Sequence, residues 1–286
     1  MSSVPKFIKF KNANHIFQAS ITPDSYGYSI KFVATALLYD KCITISITVV
    51  DGVPLYGIIS HIQSEQECTL DTLLLHEETT DFVKACLQIC SIIFPGLTRV
   101  IFDDMSNIEC NPSEQNSRPP RKLKKPFSLA PLHIAVYGET WYETKFGAKL
   151  ENTKLYTDYR ESIQILYKPI QIEYSHFKQI NKLTSVQEAI LEPLYNYNES
   201  WNSFFKSIPR VQRCDAMYNW LPTFITRTLN VKYVNSNWYI DITKMKQIPI
   251  EILPLRPVSQ GGNRSTRKTR RYRLFTNQME GWKVFA

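Results

Sequence analysis

Hydrophobic and polar positions in the first hundred residues fall into short alternating runs, followed by one longer helical stripe. Residues 1–24 form a mixed lead-in, with Ile8, Phe10, Ile16 and Phe17 available for packing. Residues 28–38 and 42–50 are rich in β-branched and aromatic side chains and are separated by Tyr39-Asp40-Lys41. Such side chains suit a pleated, half-buried surface, so the two runs predict a strand pair. Asp51-Gly52 supplies a turn and 55–62 a third strand; 68–75 reads as a fourth, which makes a meander of antiparallel neighbours. The period then lengthens. Thr79-Thr80-Asp81 cap a helix over 82–94, whose stripe is Phe82, Val83, Cys86, Leu87, Cys90 and Ile93, and Pro95-Gly96 ends it. Residues 98–102 are a short apolar strand that stops at Asp103-Asp104.

Residues 111–126 hold four prolines and read as a surface loop. Residues 129–137 suit a helix capped by Ser128, although the apolar run from Leu132 also suits a strand; helix is the expectation. A short helix over 139–146 follows, in which Trp141, Tyr142 and Phe146 recur at about one turn and Gly147 stops it in a left-handed conformation. Ala148-Lys149-Leu150 begins a strand. Beyond it, 162–167 and 170–174 flank a proline as strand or helix ends, and 185–197, 200–208 and 213–229 read as helices, the first capped by Ser185 with Glu188 three residues on. Residues 231–233 and 238–242 return to strand character around Asn235-Ser236-Asn237, and 249–257 is extended. Ser259-Gln260-Gly261-Gly262 is a hinge into a basic tail. The expected organisation is an α/β (α+β) domain over 1–175, a helical insertion with returning strands over 176–257, and a tail over 258–286.

Composition narrows the function classes. The 286 residues are 43% hydrophobic and 13% aromatic, enough for a sizeable core. Nothing near the start resembles a signal peptide, and no run reaches the ~18 apolar residues of a membrane span, so an intracellular protein with no membrane span is expected. Six cysteines (Cys42, Cys68, Cys86, Cys90, Cys110, Cys214) are read as free buried thiols of a reducing compartment, with a metal or redox site as the competing reading. His15, His61, His76, His133 and His176 have no metal-binding spacing. No nucleophile elbow or phosphate-binding loop is present, and Gln260-Gly261-Gly262-Asn263 is a linker because no helix follows it.

The net charge of +8 is concentrated. Arg118, Arg121, Lys122, Lys124 and Lys125 form one acid-free cluster, and Arg264, Arg267, Lys268, Arg270, Arg271 and Arg273 another. Setting those 11 aside leaves 23 basic against 26 acidic residues, a mildly acidic body. Such runs neutralise phosphates without reading sequence; they also serve as localisation signals or as solvated tails.

The stretch Tyr137-Gly-Glu-Thr-Trp-Tyr-Glu-Thr-Lys-Phe-Gly-Ala-Lys-Leu150 is the most informative in the chain. It resembles the Tyr-Glu-Lys-Leu-Gly-Phe signature near the end of GCN5-related N-acetyltransferase (GNAT) domains. Its Thr-Trp-Tyr-Glu-x-x-Phe-x-Ala-Lys pattern is also similar to a segment of uncharacterised proteins of large nucleocytoplasmic DNA viruses. The resemblance implies a GNAT-like mixed, mainly antiparallel sheet over about 28–167, with two strands splayed around acyl-coenzyme A. It places Tyr142 as the acid that protonates the departing thiolate, with a core tyrosine as the competing reading. Asp103 and Asp104 are candidate bases, or turn caps. The family's glycine-bearing diphosphate cradle matches His76-Glu77-Glu78-Thr79-Thr80-Asp81 here, which has no glycine and three carboxylates. The expectation is therefore a GNAT-fold viral protein without catalysis and without a cofactor. It would act as a binding or virion-associated module in the host cytoplasm or nucleus, its basic tail and 118–125 loop contacting nucleic acid or another polyanion, with a virion or host protein as a further partner. The alternative is an active N-acyltransferase that uses acetyl-coenzyme A and Tyr142.

Overall fold

The computed structural model describes residues 7–12, 15–34, 43–62, 76–110 and 125–254. The expected strand over 68–75 lies outside the described residues. So do Arg118, Arg121, Lys122, Lys124 and the tail residues Arg264, Arg267, Lys268, Arg270, Arg271 and Arg273; Lys125 is described only as the first residue of a strand.

The alternating runs become a meander. β1 (Phe7–Asn12), β2 (His15–Asp24), β3 (Gly27–Ala34), β4 (Ile43–Val50) and β5 (Val53–Ile62) pair antiparallel in chain order, with Asp51-Gly52 turning between the last two. β1 and β2 occupy what the sequence suggested only as a lead-in. The alternation in β1 is weak, because Phe10 and Asn12 are its buried positions while Phe7 is exposed. Asn12 is buried with a purpose: its Nδ2 donates to the Pro249 carbonyl at 3.2 Å, which steadies the approach of a late strand to β1.

Helix α1 (His76–Ile93) crosses from β5 to β6 (Arg99–Phe102), which lies parallel to β5. It starts six residues before the expected position. Phe82, Val83, Cys86, Leu87 and Cys90 are all buried, and Phe82 stacks on Phe17 with ring centroids 4.3 Å apart. At roughly 1.5–3 kcal/mol for each large apolar side chain, this stripe outweighs any intrinsic helix preference in holding α1 to the sheet.

A hairpin of β7 (Asn107–Cys110) and β8 (Lys125–Ser128) stands apart from the main sheet. α2 (Leu129–Tyr137), α3 (Trp141–Phe146) and the short β9 (Lys149–Leu150) follow, then α4 (Thr153–Ser162), α5 (Tyr174–Asn181), α6 (Ser185–Tyr195), α7 (Trp201–Ser207) and α8 (Arg213–Met217). β10 (Trp238–Asp241) inserts between β6 and β9, and β11 (Glu251–Leu253) adds to β1 at the opposite edge. The result is a nine-stranded, mostly antiparallel sheet with helices, a mixed α/β fold. The stretch 176–257 supplies two of its strands, so it is woven into the first sheet. No helix among the described residues is long and apolar enough to cross a membrane.

Several expectations need correction. Residues 213–229 are not one helix: α8 gives way to a turn, a short turn of helix at Leu221–Thr223, and a π-helical stretch, Phe224–Thr228. Residues 231–233 are not a strand. α6 is capped by Thr184, whose side chain accepts from the Gln187 N–H, rather than by Ser185. The cysteines are not all free: Cys110 of β7 and Cys214 of α8 form a disulfide, whereas Cys86 and Cys90 are free and buried. Burial raises both of those thiols. The thiolate is the reactive form, so these two act as packing groups.

The helical region has its own aromatic centre. Phe177 is fully buried, with Tyr195, Trp201, Phe204, Trp220 and Phe224 at centroid distances of 5.0 to 5.8 Å. Asn202 of α7 joins this region to α2 by donating from Nδ2 to the Ala135 and Val136 carbonyls at 3.1 and 2.9 Å. Those carbonyls lie at a helix end, where intrahelical partners run out.

Candidate functional site

The signature stretch 137–150 folds as two helix ends back to back. α2 stops at Gly138 in the left-handed conformation (φ 76°), and a side chain there would run into the Tyr167 hydroxyl. Thr140 then opens α3 with a capping box: its hydroxyl accepts from the Glu143 N–H, and Glu143 Oε2 accepts from the Thr140 N–H at 2.8 Å. Gly147 (φ 64°) closes α3, as expected. Glu143 is the hub. Its carboxylate also accepts from the Tyr159 hydroxyl at 2.7 Å, the Tyr156 hydroxyl at 3.0 Å and the Arg160 guanidinium at 3.2 Å. This residue escaped the sequence reading, although Thr-x-x-Glu before an apolar run is a recognisable capping signal.

Tyr142 points the other way. Its ring lies 4.3 Å from that of Phe102 and 4.9 Å from that of Trp141, and only 6% of the residue is exposed. Burial raises its hydroxyl, and the charge of Asp104 raises it further. The residue is thus part of the core, with Asp104 as its charged neighbour.

Asp103 and Asp104 follow the last residue of β6 and fasten the turn that precedes β10. Asp103 Oδ1 accepts from the Asn237 N–H at 3.1 Å, and the Asp104 N–H donates to the Asn235 carbonyl at 2.6 Å. Asn237 adopts φ 60°, a conformation asparagine tolerates better than most residues. Asp103 therefore caps a turn. Asp104 is buried, and its Oδ1 accepts from the N–H and the hydroxyl of Ser106. Burial raises the Asp104 carboxyl above the usual range, against the Ser106 hydrogen bonds that pull it down. The Tyr233 hydroxyl leans toward this carboxyl without completing a hydrogen bond of good geometry, and burial followed by the Asp104 charge raises it too. Tyr142, Asp104 and Tyr233 thus form one buried group of proton-holding side chains at the end of β6.

This group backs onto a cleft of about 590 Å³ between the end of β6, the base of the β7–β8 hairpin, α2 and residues 222–236. Asp104 and Tyr233 line it; Asp103 and Tyr142 do not. Tyr233, Arg227 and the 234–236 turn were missed as site residues, because their approach to Asp104 is a tertiary event without a local motif.

Beside α1, the parallel pair is brief. Only Gly57↔Val100 and Ile58↔Ile101 are in register, while β5 runs on to Ile62 with β4 as its partner. Glu77 and Glu78 lie in the first turn of α1. No group of three or more His, Cys, Asp or Glu side chains among the described residues is arranged to hold a metal ion. No protein-family model, curated protein or solved structure matches the chain.

Proposed function

We propose that this protein is a non-catalytic binding module on a GNAT-like sheet, which contacts nucleic acid or a similar polyanion through the basic residues of 118–125 and 264–273. The observation that carries the reading is the first turn of α1. Free N–H groups and the helix dipole would attract a coenzyme diphosphate to that turn. The stretch 76–81 carries Glu77, Glu78 and Asp81 in sequence, and no glycine within it allows a phosphate close to the backbone. Three acidic residues in six positions disfavour a further anion there. The enclosure of Tyr142 between Phe102 and Trp141 supports the same reading, since a thiolate would need access to its hydroxyl.

Two further features support the polyanion part. Both basic segments are free of acids. The first springs from a hairpin that the Cys110–Cys214 disulfide fastens to α8. The resemblance of 140–149 to segments of large-DNA-virus proteins makes a virion or an infected host cell the natural setting. A second reading, an active acyl-coenzyme A-dependent N-acyltransferase with Tyr142 as acid, draws on the closeness of Tyr142 to Asp104 and on the brief β5–β6 pairing.

Melting the full chain with and without acetyl-coenzyme A separates them. A ligand at about 100 times its Kd adds ~2.7 kcal/mol of stability. The module reading expects no shift at millimolar coenzyme; a clear rise in Tm overturns it in favour of the enzyme.

A further inference from the structure

The cleft at the end of β6 is an open groove of small-molecule size. Its volume of about 590 Å³ lies within the range of roughly 300–1,000 Å³ that ligand pockets occupy. None of its lining residues comes from α1 or β5, so it is separate from the place considered for a coenzyme. Its walls are apolar at Met105, Pro131 and Val234, and its polar groups are few and specific.

Two of those groups, Asp104 and Tyr233, face each other without a well-formed hydrogen bond. Both hydrogen bonds from Ser106 go to Asp104 Oδ1, so Oδ2 takes none from Ser106. The neighbouring Tyr233 hydroxyl is buried and leans toward the Asp104 carboxyl without a hydrogen bond of good geometry. A ligand that gives this pair well-formed hydrogen bonds would replace an imperfect buried contact. Opposite them, the π-helical stretch Phe224–Thr228 turns Phe224 and Ile225 into the core and leaves Thr226 and Arg227 exposed on the cleft. Single π turns of this kind recur at functional sites. No acid among the described residues pairs with Arg227.

The ligand must therefore satisfy a carboxyl and a cation together. A simple amine would suit Asp104 but face Arg227, and a simple anion would suit Arg227 but face Asp104. We propose that the cleft is a nucleotide pocket in which Arg227 takes a phosphate and Asp104, with Tyr233 beside it, takes the exocyclic amino group of cytosine or adenine. Carboxylates read that amino group in nucleic-acid complexes, and arginine is the usual phosphate partner. The choice of a nucleotide over other ligands with two such ends rests on the polyanion reading. Asn107 and Ser128, at the base of the β7–β8 hairpin, line the cleft, and the basic loop leaves the other end of that hairpin. The source is then either a free nucleotide or one residue of a single strand.

Titration calorimetry on the full chain with CMP, AMP, UMP and a short oligocytidylate tests this. CMP and AMP should bind at least about tenfold more tightly than UMP, which presents a carbonyl in place of the amino group. Asp104→Asn keeps an acceptor for Ser106, so the fold stands; it should abolish or reverse the preference, because it places a donor against the base. Arg227→Gln, on an exposed side chain, should weaken all three nucleotides by about tenfold. An oligocytidylate that binds more tightly than CMP identifies a strand residue, and CMP without the oligomer identifies a free nucleotide. No heat with CMP or AMP at millimolar concentration, equal affinity for UMP, or indifference to both substitutions overturns the proposal. Nucleic-acid retention by the basic segments in the absence of CMP binding would sink the pocket and leave the polyanion reading intact. CMP binding without such retention would do the reverse.

Discussion

Replacing Glu143 by alanine should be the most damaging single change in the signature stretch. The carboxylate is nearly inaccessible, its side chain 4% exposed, and four donors converge on it. Two of them, the Tyr156 and Tyr159 hydroxyls, stay protonated at neutral pH: burial, followed by the charge of Glu143, pushes Tyr156 up to about 12 and raises Tyr159 as well. Alanine removes the shared acceptor and strands the Thr140 N–H, a buried hydroxyl and part of the Arg160 guanidinium. Breaking a buried charged partnership from one side costs about 3–5 kcal/mol. For a chain of this size each kcal/mol moves Tm by roughly 2–4 °C, so a drop on the order of 10 °C is expected. Glu143→Gln keeps one oxygen but turns an amide donor toward other donors; loss of a charge-assisted bond of about 1.5–3 kcal/mol sets a smaller drop. Glu139→Ala is the control. That residue is 3.7 Å from Arg160 with 36% of its side chain exposed, and exposed ion pairs contribute about 0–1 kcal/mol. Thermal melts and urea midpoints followed by circular dichroism measure all three. An alanine variant of Glu143 within about 0.5 kcal/mol of the parent would refute the hub role, because a structural carboxylate with four donors cannot be lost silently.

Three other outcomes follow from the same physics. Asp104 holds its proton more tightly folded than unfolded, so its contribution to stability falls as pH rises from about 4, the unfolded value, through the higher folded value; Asp104→Asn should therefore gain on the parent between pH 3 and pH 7, and a gap that narrows upward in pH contradicts the assignment. Cys110 and Cys214 should appear as one cross-linked peptide on non-reducing digestion, and Cys214→Ser should cost roughly 4.7 kcal/mol, the loop-closure value for a separation of 104 residues; separately alkylated peptides would refute the bridge between the hairpin and α8. Phe177→Ala should cost about 3–5 kcal/mol by opening a cavity among five aromatic neighbours, read from the urea midpoint.

The strands β3–β5, the stripe of α1 and the Gly147 stop of α3 were legible because each is local: alternation, a 3.6-residue period, or a glycine at a helix end. β1 escaped because only Phe10 and Asn12 of its six residues are buried, so alternation alone does not reveal it. The break-up of 213–229 was hidden for a different reason. Apolar spacing there is helical throughout, but packing of Trp220 and Phe224 on Phe177 sets the chain path and widens the turn at 224–228. The end of β6 was recognisable as a place where Asp103 and Asp104 meet a turn. What they meet was not: Asn237 lies 134 residues from Asp103, and strand order is a tertiary choice that no local pattern records. The same holds for Cys110 and Cys214, since spacing alone does not give disulfide connectivity. Tyr142 was visible as a residue, while its enclosure by Phe102 depends on where β6 lands beneath α3.

The central claim, that the charged segments and not a coenzyme site define what this protein binds, is tested most directly by salt. Affinity of the full chain for a single-stranded oligonucleotide should be measured across salt concentrations, beside a variant with Arg264, Arg267, Lys268, Arg270, Arg271 and Arg273 replaced by glutamine. Each neutralised phosphate contributes about 0.7 to the slope of log K against log salt, so removal of six charges should flatten it by about 4 and weaken binding at low salt. A slope that is the same in both proteins, or no binding by the parent at low salt, would contradict the account.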